Sequence, residues 1–405
     1  MQINKRKIIN DPVYGFMTLD SDILYDIMTH RYFQRLHRIM QLGLSHFVYP
    51  GAVHTRFSHT LGATYLMGLA IDVLRTKNVD ITDEEAQSVK VAIMLHDIGH
   101  GPFSHSLEHT IINDVCHEDI SKIFMHKLNE EFGGALDNAI AIFENSYHKH
   151  FLHQLVSSQL DMDRLDYLSR DSFFTGVSEG IIGTERIINM LNVHEDNLVV
   201  DEKGIYSIEK FIISRRLMYW QVYLHKTAFA AEMMLCKTLE RARYLVQKGE
   251  NIFASDNLMY FLKQQPKEIT CENLSIFTTL DDTDIWVSMK AWANHSDKVL
   301  STLSSGIINR SIFKLEISND SIPEEVQSKK LEEIQNKWNL KREDAEFLIA
   351  QKMVSNHLYS KGETGIDILY SDGSTKSISQ ASDMFNLDLL SKKVSKFYFC
   401  YVRGL

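Results

Sequence analysis

The adjacent pair His96-Asp97 closes the apolar run Val91 to Leu95 and stands just before Gly99 and Gly101. An imidazole beside a carboxylate suits a divalent transition metal, and the apolar run would hold both on a rigid, water-poor support. Alone, such a pair usually marks a helix end whose polar residues cap and solvate. A mononuclear site needs about four protein ligands, and the pair supplies two. Two other segments could supply the rest. Upstream, His59 lies one helical turn after Arg56, and the apolar stretch Leu61 to Leu74 predicts a buried helix that His59 opens. Downstream, Asp161, Asp163, Asp166 and Asp171 crowd a short segment of helical pattern. Buried carboxylates are costly unless paired or metal-bound, so Asp163, Asp166 and Asp171 cannot all point inward without partners.

In chain order, the motifs RFSHTLG at 56–62, HDIGHGPFSH at 96–105 and DMDRLDYLSRD at 161–171 resemble the signatures of the HD-domain phosphohydrolases. Within that superfamily the chain is most similar to the deoxynucleoside triphosphate triphosphohydrolases, over roughly the first 230 residues. The resemblance implies that His59, His96, Asp97 and Asp163 ligate one divalent metal, with Mn, Fe, Zn, Ni and Mg all open. It implies catalytic roles for His105 and Glu108 and places His100 and His117 in the same pocket. For the sugar it points to Gln41 and Leu42, with the Tyr167 ring against C2′ and the Asp171 carboxylate on the 3′-OH. It also implies a homo-oligomer with a possible nucleotide effector.

Hydrolysis of a phosphate ester needs positive charge on the phosphoryl oxygens, an activated water and a proton for the leaving group. A His2Asp2 metal site supplies the first two by Lewis acidity and by lowering the pKa of bound water toward about 7. The chain must supply the proton. His105 and Glu108 are three residues apart after the Gly101-Pro102 break, and a helix there would set them on one face. A carboxylate beside an imidazole fixes its tautomer and raises its pKa, as a general acid requires, and His117 is the next candidate. A triphosphate also needs converging cations, for which Arg56, Arg164, Arg215 and Lys226 are candidates. Arg164 stands where members of the resembled family often carry lysine, which keeps the charge but alters its geometry. Arg215, Tyr219, Tyr223 and Lys226 follow at spacings of a helical face. Periodicity alone favours a solvated amphipathic face here; the resemblance favours contact with the triphosphate and base.

The elements that must hold these residues are mainly helical. Residues 1–20 predict an extended lead-in with turns at Asp11-Pro12 and Tyr14-Gly15, followed by helical periodicity to about residue 192. Asn197 to Ser207 predicts a small inserted hairpin with its turn ending at Gly204, and Ser207 is the expected N-cap of a long helix. Helical patterns continue in pieces to about Ser304. The chain then predicts a strand at Ile312 to Ile317, a charged helix opened by Pro323, a hairpin around Ser371-Asp372-Gly373, and a last strand from Phe397 to Val402. The expected organisation is a multi-helical HD-type core with helical extension over 1–304 and a smaller α+β subdomain over 305–405.

A chain of 405 residues with 44% hydrophobic and 24% charged residues has ample material for a soluble core. The net charge of −10 argues against general attraction to nucleic acid. No segment reads as a membrane span, and Met1 to Lys7 carries charge without a following apolar run, which argues against a secretory signal. The four cysteines, Cys116, Cys236, Cys271 and Cys400, form no CxxC pair and fit a reducing cytoplasm. The expected activity is hydrolysis of a deoxynucleoside triphosphate to deoxynucleoside and tripolyphosphate. The alternatives are an HD phosphohydrolase acting on a nucleoside monophosphate or cyclic dinucleotide, and a nucleotide-sensing module without turnover.

Overall fold

The computed structural model describes residues 7–104, 107, 110, 115–356, 365–383 and 394–404. The chain is mainly α-helical, with short strands at its start, middle and end. Among the described residues, no helix is long and apolar enough to cross a membrane.

The lead-in is a hairpin: Lys7–Asp11 pairs antiparallel with Gly15–Leu19. Asp11 ties its turn by accepting from the Val13 and Tyr14 N–H groups, at 2.9 and 3.1 Å. Three helices then frame the core. Arg56–Thr76 is buried along most of its length, Asp83–Leu95 starts at a Thr82/Glu85 capping box, and Met162–Thr175 runs from an Asp161 N-cap to Gly176 in the left-handed region. Gly62 is required where the first and third cross: a Cβ there would collide with the Asp166 and Arg170 side chains. The absent side chain is what allows Asp166 to reach His59.

The inserted hairpin forms upstream of its expected place. Leu191–His194 pairs with Asn197–Asp201, joined at Glu195-Asp196, both with positive φ. Pairing Val200 with Leu191 buries both side chains, which pairing toward the Gly204 turn could not do. Residues after Asp201 instead tighten into a single turn, and the next helix is Ile205–Met218. Gly204 therefore occupies the N-cap, and Ser207 lies inside the first turn.

That helix widens at its end. Tyr219–Tyr223 is a π-helical turn, Leu224 N–H donates to Tyr219 C=O at 2.8 Å, and His225 turns extended to cap a new helix, Lys226–Gln247. The single face expected for Arg215, Tyr219, Tyr223 and Lys226 does not form, because π-winding and the break at His225 rotate Lys226 out of register.

The later helices Asp256–Gln264, Cys271–Phe277, Asp282–Trp292 and Lys298–Ile308 fill the expected helical stretch. The terminal strands join two sheets. Val394–Tyr401 is central between Lys314–Ser318 and Ile349–Asn356, both antiparallel to it. The hairpin Asp367–Leu369/Thr375–Ser377 adds to the inserted hairpin, with Asp367–Leu369 parallel to Asn197–Asp201. Late chain is thus hydrogen-bonded directly to the helical core.

Candidate metal centre and substrate cavity

His59 stands in the first turn of Arg56–Thr76 and is fully buried. Its Nδ1 lies 2.7 Å from Asp166 Oδ2. A carboxylate only accepts, so Nδ1 carries the proton and the Nε2 lone pair is free. His96 is fixed in the same sense by the Ile93 carbonyl, 2.6 Å from its Nδ1. The two Nε2 atoms then converge on Asp163 Oδ1, at 3.1 and 3.4 Å. Asp97 completes the group, with Oδ2 3.6 Å from His59 Nε2 and Oδ1 3.3 Å from His96 Nε2.

Among the described residues, neither Nε2 atom, both buried, has a hydrogen-bond partner. Two bare imidazole lone pairs facing two carboxylates are what a divalent cation requires, and the donor set fits an N2O2 site. With no cation between them, the same groups compete for protons instead. Burial works to lower the His59 pKa, but hydrogen bonds to Asp163 and Asp166 outweigh it and push it up to about 10. Burial likewise opposes the charge on Asp163, and the two imidazoles hold its pKa well below the usual carboxylate range. Protons are thus drawn to where negative charge is in excess.

Behind the centre runs a buried relay. Arg170 binds Asp166 through Nε and a terminal nitrogen, at 2.9 and 3.0 Å, and reaches Asp11 at 2.8 Å. The expectation that the aspartates need partners holds at each of them: Asp163 faces the two imidazoles, Asp166 pairs with His59 and Arg170, and Asp171 sits between His54 Nε2 at 2.7 Å and the Tyr223 hydroxyl at 2.8 Å. Burial and the Asp171 charge keep the Tyr223 phenol protonated, so it donates.

In front lies a cavity of about 530 Å³. One wall carries Asp97, Asp163, Arg56, Arg164, His100 and His117. Arg56 contacts Asp97 and donates from Nε to Ser104 Oγ at 2.7 Å. His100 Nε2 lies 3.3 Å from Asp97 Oδ1, and its ring stacks on His117 at 3.8 Å between centroids. Burial and Arg56 push His100 well below its ordinary pKa, so it is neutral. A second wall carries Gln41, Leu42, Tyr167, Asp171, Tyr219 and Tyr223. The buried Gln41 Oε1 has no partner among the described residues.

Two candidates fall elsewhere. Arg215 is buried and donates to Gln159 Oε1 at 3.1 Å, and Lys226 is exposed; neither lines the cavity. His105 and Glu108 lie outside the described residues. Sequence reasoning assigned no role to Asp166 or His54, whose histidine and aspartate types were a usable signal. It also missed Phe229, Glu232, Met233 and Cys236, on one helix, and Lys352, on Ile349–Asn356. No local pattern marks these as cavity residues.

Comparison with known proteins is consistent with this geometry. A model of the HD domain matches residues 56–171, and a model of the HD-associated region matches 182–265. The Bacillus subtilis protein YwfO is 34% identical over 320 residues, covering 77% of this chain and 72% of that protein. The deoxynucleoside triphosphate triphosphohydrolase SAMHD1 homolog of Dictyostelium discoideum is 27% identical over 335 residues, covering 78% of this chain and 62% of that protein. A crystal structure of a phosphohydrolase from Bacteroides thetaiotaomicron superposes with a TM-score of 0.95 at 53% identity, covering 98% of this chain and all of that one.

Proposed function

Because this chain belongs to the HD-domain phosphohydrolase superfamily, we propose that it hydrolyses deoxynucleoside triphosphates, water attacking the α-phosphorus to release deoxynucleoside and inorganic tripolyphosphate. One observation carries the reading: a single cavity joins the converging His/Asp centre to arginines on one wall and a tyrosine–carboxylate–glutamine wall on the other. A nucleotide has those parts in that order. The likeness to the deoxynucleoside triphosphate triphosphohydrolase homolog of Dictyostelium supports the triphosphate.

His59, His96, Asp97 and Asp163 would hold the metal, whose Lewis acidity would make water nucleophilic at neutral pH. The chain does the rest. Arg56 and Arg164 neutralise the phosphates, joined by Lys352. Neutral His100, with His117 stacked on its ring, donates a hydrogen bond without adding charge. His105, supported by Glu108 three residues on, is the group assigned to protonate the leaving 5′ oxygen. Tyr167, packed against C2′, and Asp171 with Gln41, receiving the 3′-OH, leave a 2′-hydroxyl no partner. Arg215 orders Gln159 rather than touching substrate, and Lys226 is left for an effector or a neighbouring subunit. The protein works in the cytoplasm as a homo-oligomer, with the late strands supporting assembly.

A panel of dNTPs, NTPs, nucleoside monophosphates and cyclic dinucleotides, analysed for tripolyphosphate, tests the reading. Tripolyphosphate from dNTPs supports it. Release of only monophosphate would favour another HD phosphohydrolase, and binding without turnover a sensing module.

A further inference from the structure

Outside both matched family regions, one carboxylate touches two walls of the cavity at once. Asp282, 5% exposed, opens the helix Asp282–Trp292. Its Oδ2 accepts from the Met40 N–H at 2.9 Å and its Oδ1 from the Phe103 N–H at 2.7 Å. Met40 precedes Gln41 of the sugar wall, while Phe103 and Ser104 border the phosphate wall.

The second contact falls where the backbone needs holding. Phe103 and Ser104 have φ of 53° and 54°, a left-handed conformation that disfavours side chains. Two such residues in succession fold Ser104 back, so that its hydroxyl donates to Met40 C=O at 3.0 Å and accepts from Arg56 Nε. The surroundings brace the same junction. Buried Arg35 donates to the carbonyls of Ile98, His100 and Leu280, and Arg38 pairs with Asp281. Ile285, Met289 and Trp292 bury the helix that carries Asp282, so the carboxylate is anchored from behind.

We propose that Asp282 is a positioning residue: its carboxylate latches the strained turn at Phe103-Ser104 to the Met40-Gln41 segment, and so sets the spacing between the phosphate-binding and sugar-binding walls. The charged groups around it are Arg35 and Arg38 on one side, Arg56 on another and Asp281 on its own helix. The consequence for substrate rests on the nucleotide reading given above; the latch itself does not.

The test uses the full chain with Asp282→Asn and Asp282→Ala, followed by peptide-resolved hydrogen exchange, metal content and steady-state kinetics with a dNTP. Loss of one buried hydrogen bond accelerates amide exchange about tenfold, so peptides holding Met40 and Phe103 should exchange faster while those within Leu61–Leu74 stay unchanged. Metal content should be unaffected. KM should rise about tenfold with kcat within about threefold, and Asn, keeping one acceptor oxygen, should fall between wild type and Ala. Unchanged exchange at both amides, or an Asn variant whose exchange rises throughout the chain, would overturn the latch. If the wild type fails to hydrolyse dNTPs, the functional reading fails, and the exchange measurement still decides the role of Asp282.

Discussion

The two ends of the cavity solve different problems with the same residue types. At the metal end, each imidazole has one nitrogen fixed by an acceptor behind it and the other left bare toward a common point. At the other end, to which the proposed function gives the sugar, Asp171 already has a partner on each oxygen, His54 and Tyr223, and the wall around it is aromatic. The first arrangement is incomplete without a cation; the second is complete and can accept a further hydroxyl only with correct geometry. Loss of a ligand should therefore act in all-or-none fashion, whereas loss of a sugar contact should grade selectivity.

The sharpest way to break that contrast is at the metal end. Asp97→Ala leaves too few ligands and releases Arg56, so wild-type protein should carry near-stoichiometric metal and the variant little. Elemental analysis of both proteins checks this, and equal content would remove the assignment. Turnover should fall with the metal.

His105→Asn probes chemistry without ligation. It should keep metal and nucleotide binding while kcat drops by about 10²–10⁴, the usual cost of losing a positioned acid. A variant retaining more than about a third of wild-type kcat rules out His105 as the proton donor, and His117 becomes the candidate.

At the sugar end the expected effects are smaller. Wild-type kcat/KM for dGTP should exceed that for GTP by at least about tenfold, or about 1.4 kcal/mol. Asp171→Asn should narrow that ratio without loss of metal. Equal rates for dGTP and GTP in the wild type would reject the sugar pocket.

A separate effect is on stability and concerns Asp282, where burial outweighs its backbone hydrogen bonds and pushes the carboxyl up to about 7. The folded state then keeps a proton that the unfolded chain loses near pH 4. This group's stabilising contribution is full below pH 4 and is lost as pH rises through 7, with a slope of at most about 1.4 kcal/mol per pH unit. Thermal melts across pH 4 to 8 should show Asp282→Asn gaining on wild type as pH rises; parallel curves would mean that Asp282 titrates normally.

Legibility in the sequence followed the distance over which each feature is decided. The pair His96-Asp97 was readable because it closes an apolar helical run and His59 because it opens another, whereas the full ligand set with Asp163 came from the resemblance of the motifs; the structure brings all four together. The hairpin at Ser371-Asp372-Gly373 was also readable, since its turn chemistry is local. Ser207 as a cap and the shared face through Lys226 were not. Whether Leu198–Val200 pairs upstream or downstream depends on which partner buries more, and a π-turn leaves no mark in helical periodicity.

The sequence by itself determined the mainly helical class, the order of the ligand-bearing segments and the need of the aspartate-rich helix for partners. Short-range spacing is enough for these, because a helix fixes which neighbours share a face. Visible only once the chain is folded are the Gly62 gap that lets Asp166 reach His59, the Arg215 bond to Gln159, the arrival of Lys352 in the cavity, and the hold of Asp282 on the Met40 and Phe103 amides. Those placements come from packing between segments 56 to 242 residues apart, where burial and hydrogen-bond satisfaction of the whole core select one arrangement and no local pattern records it.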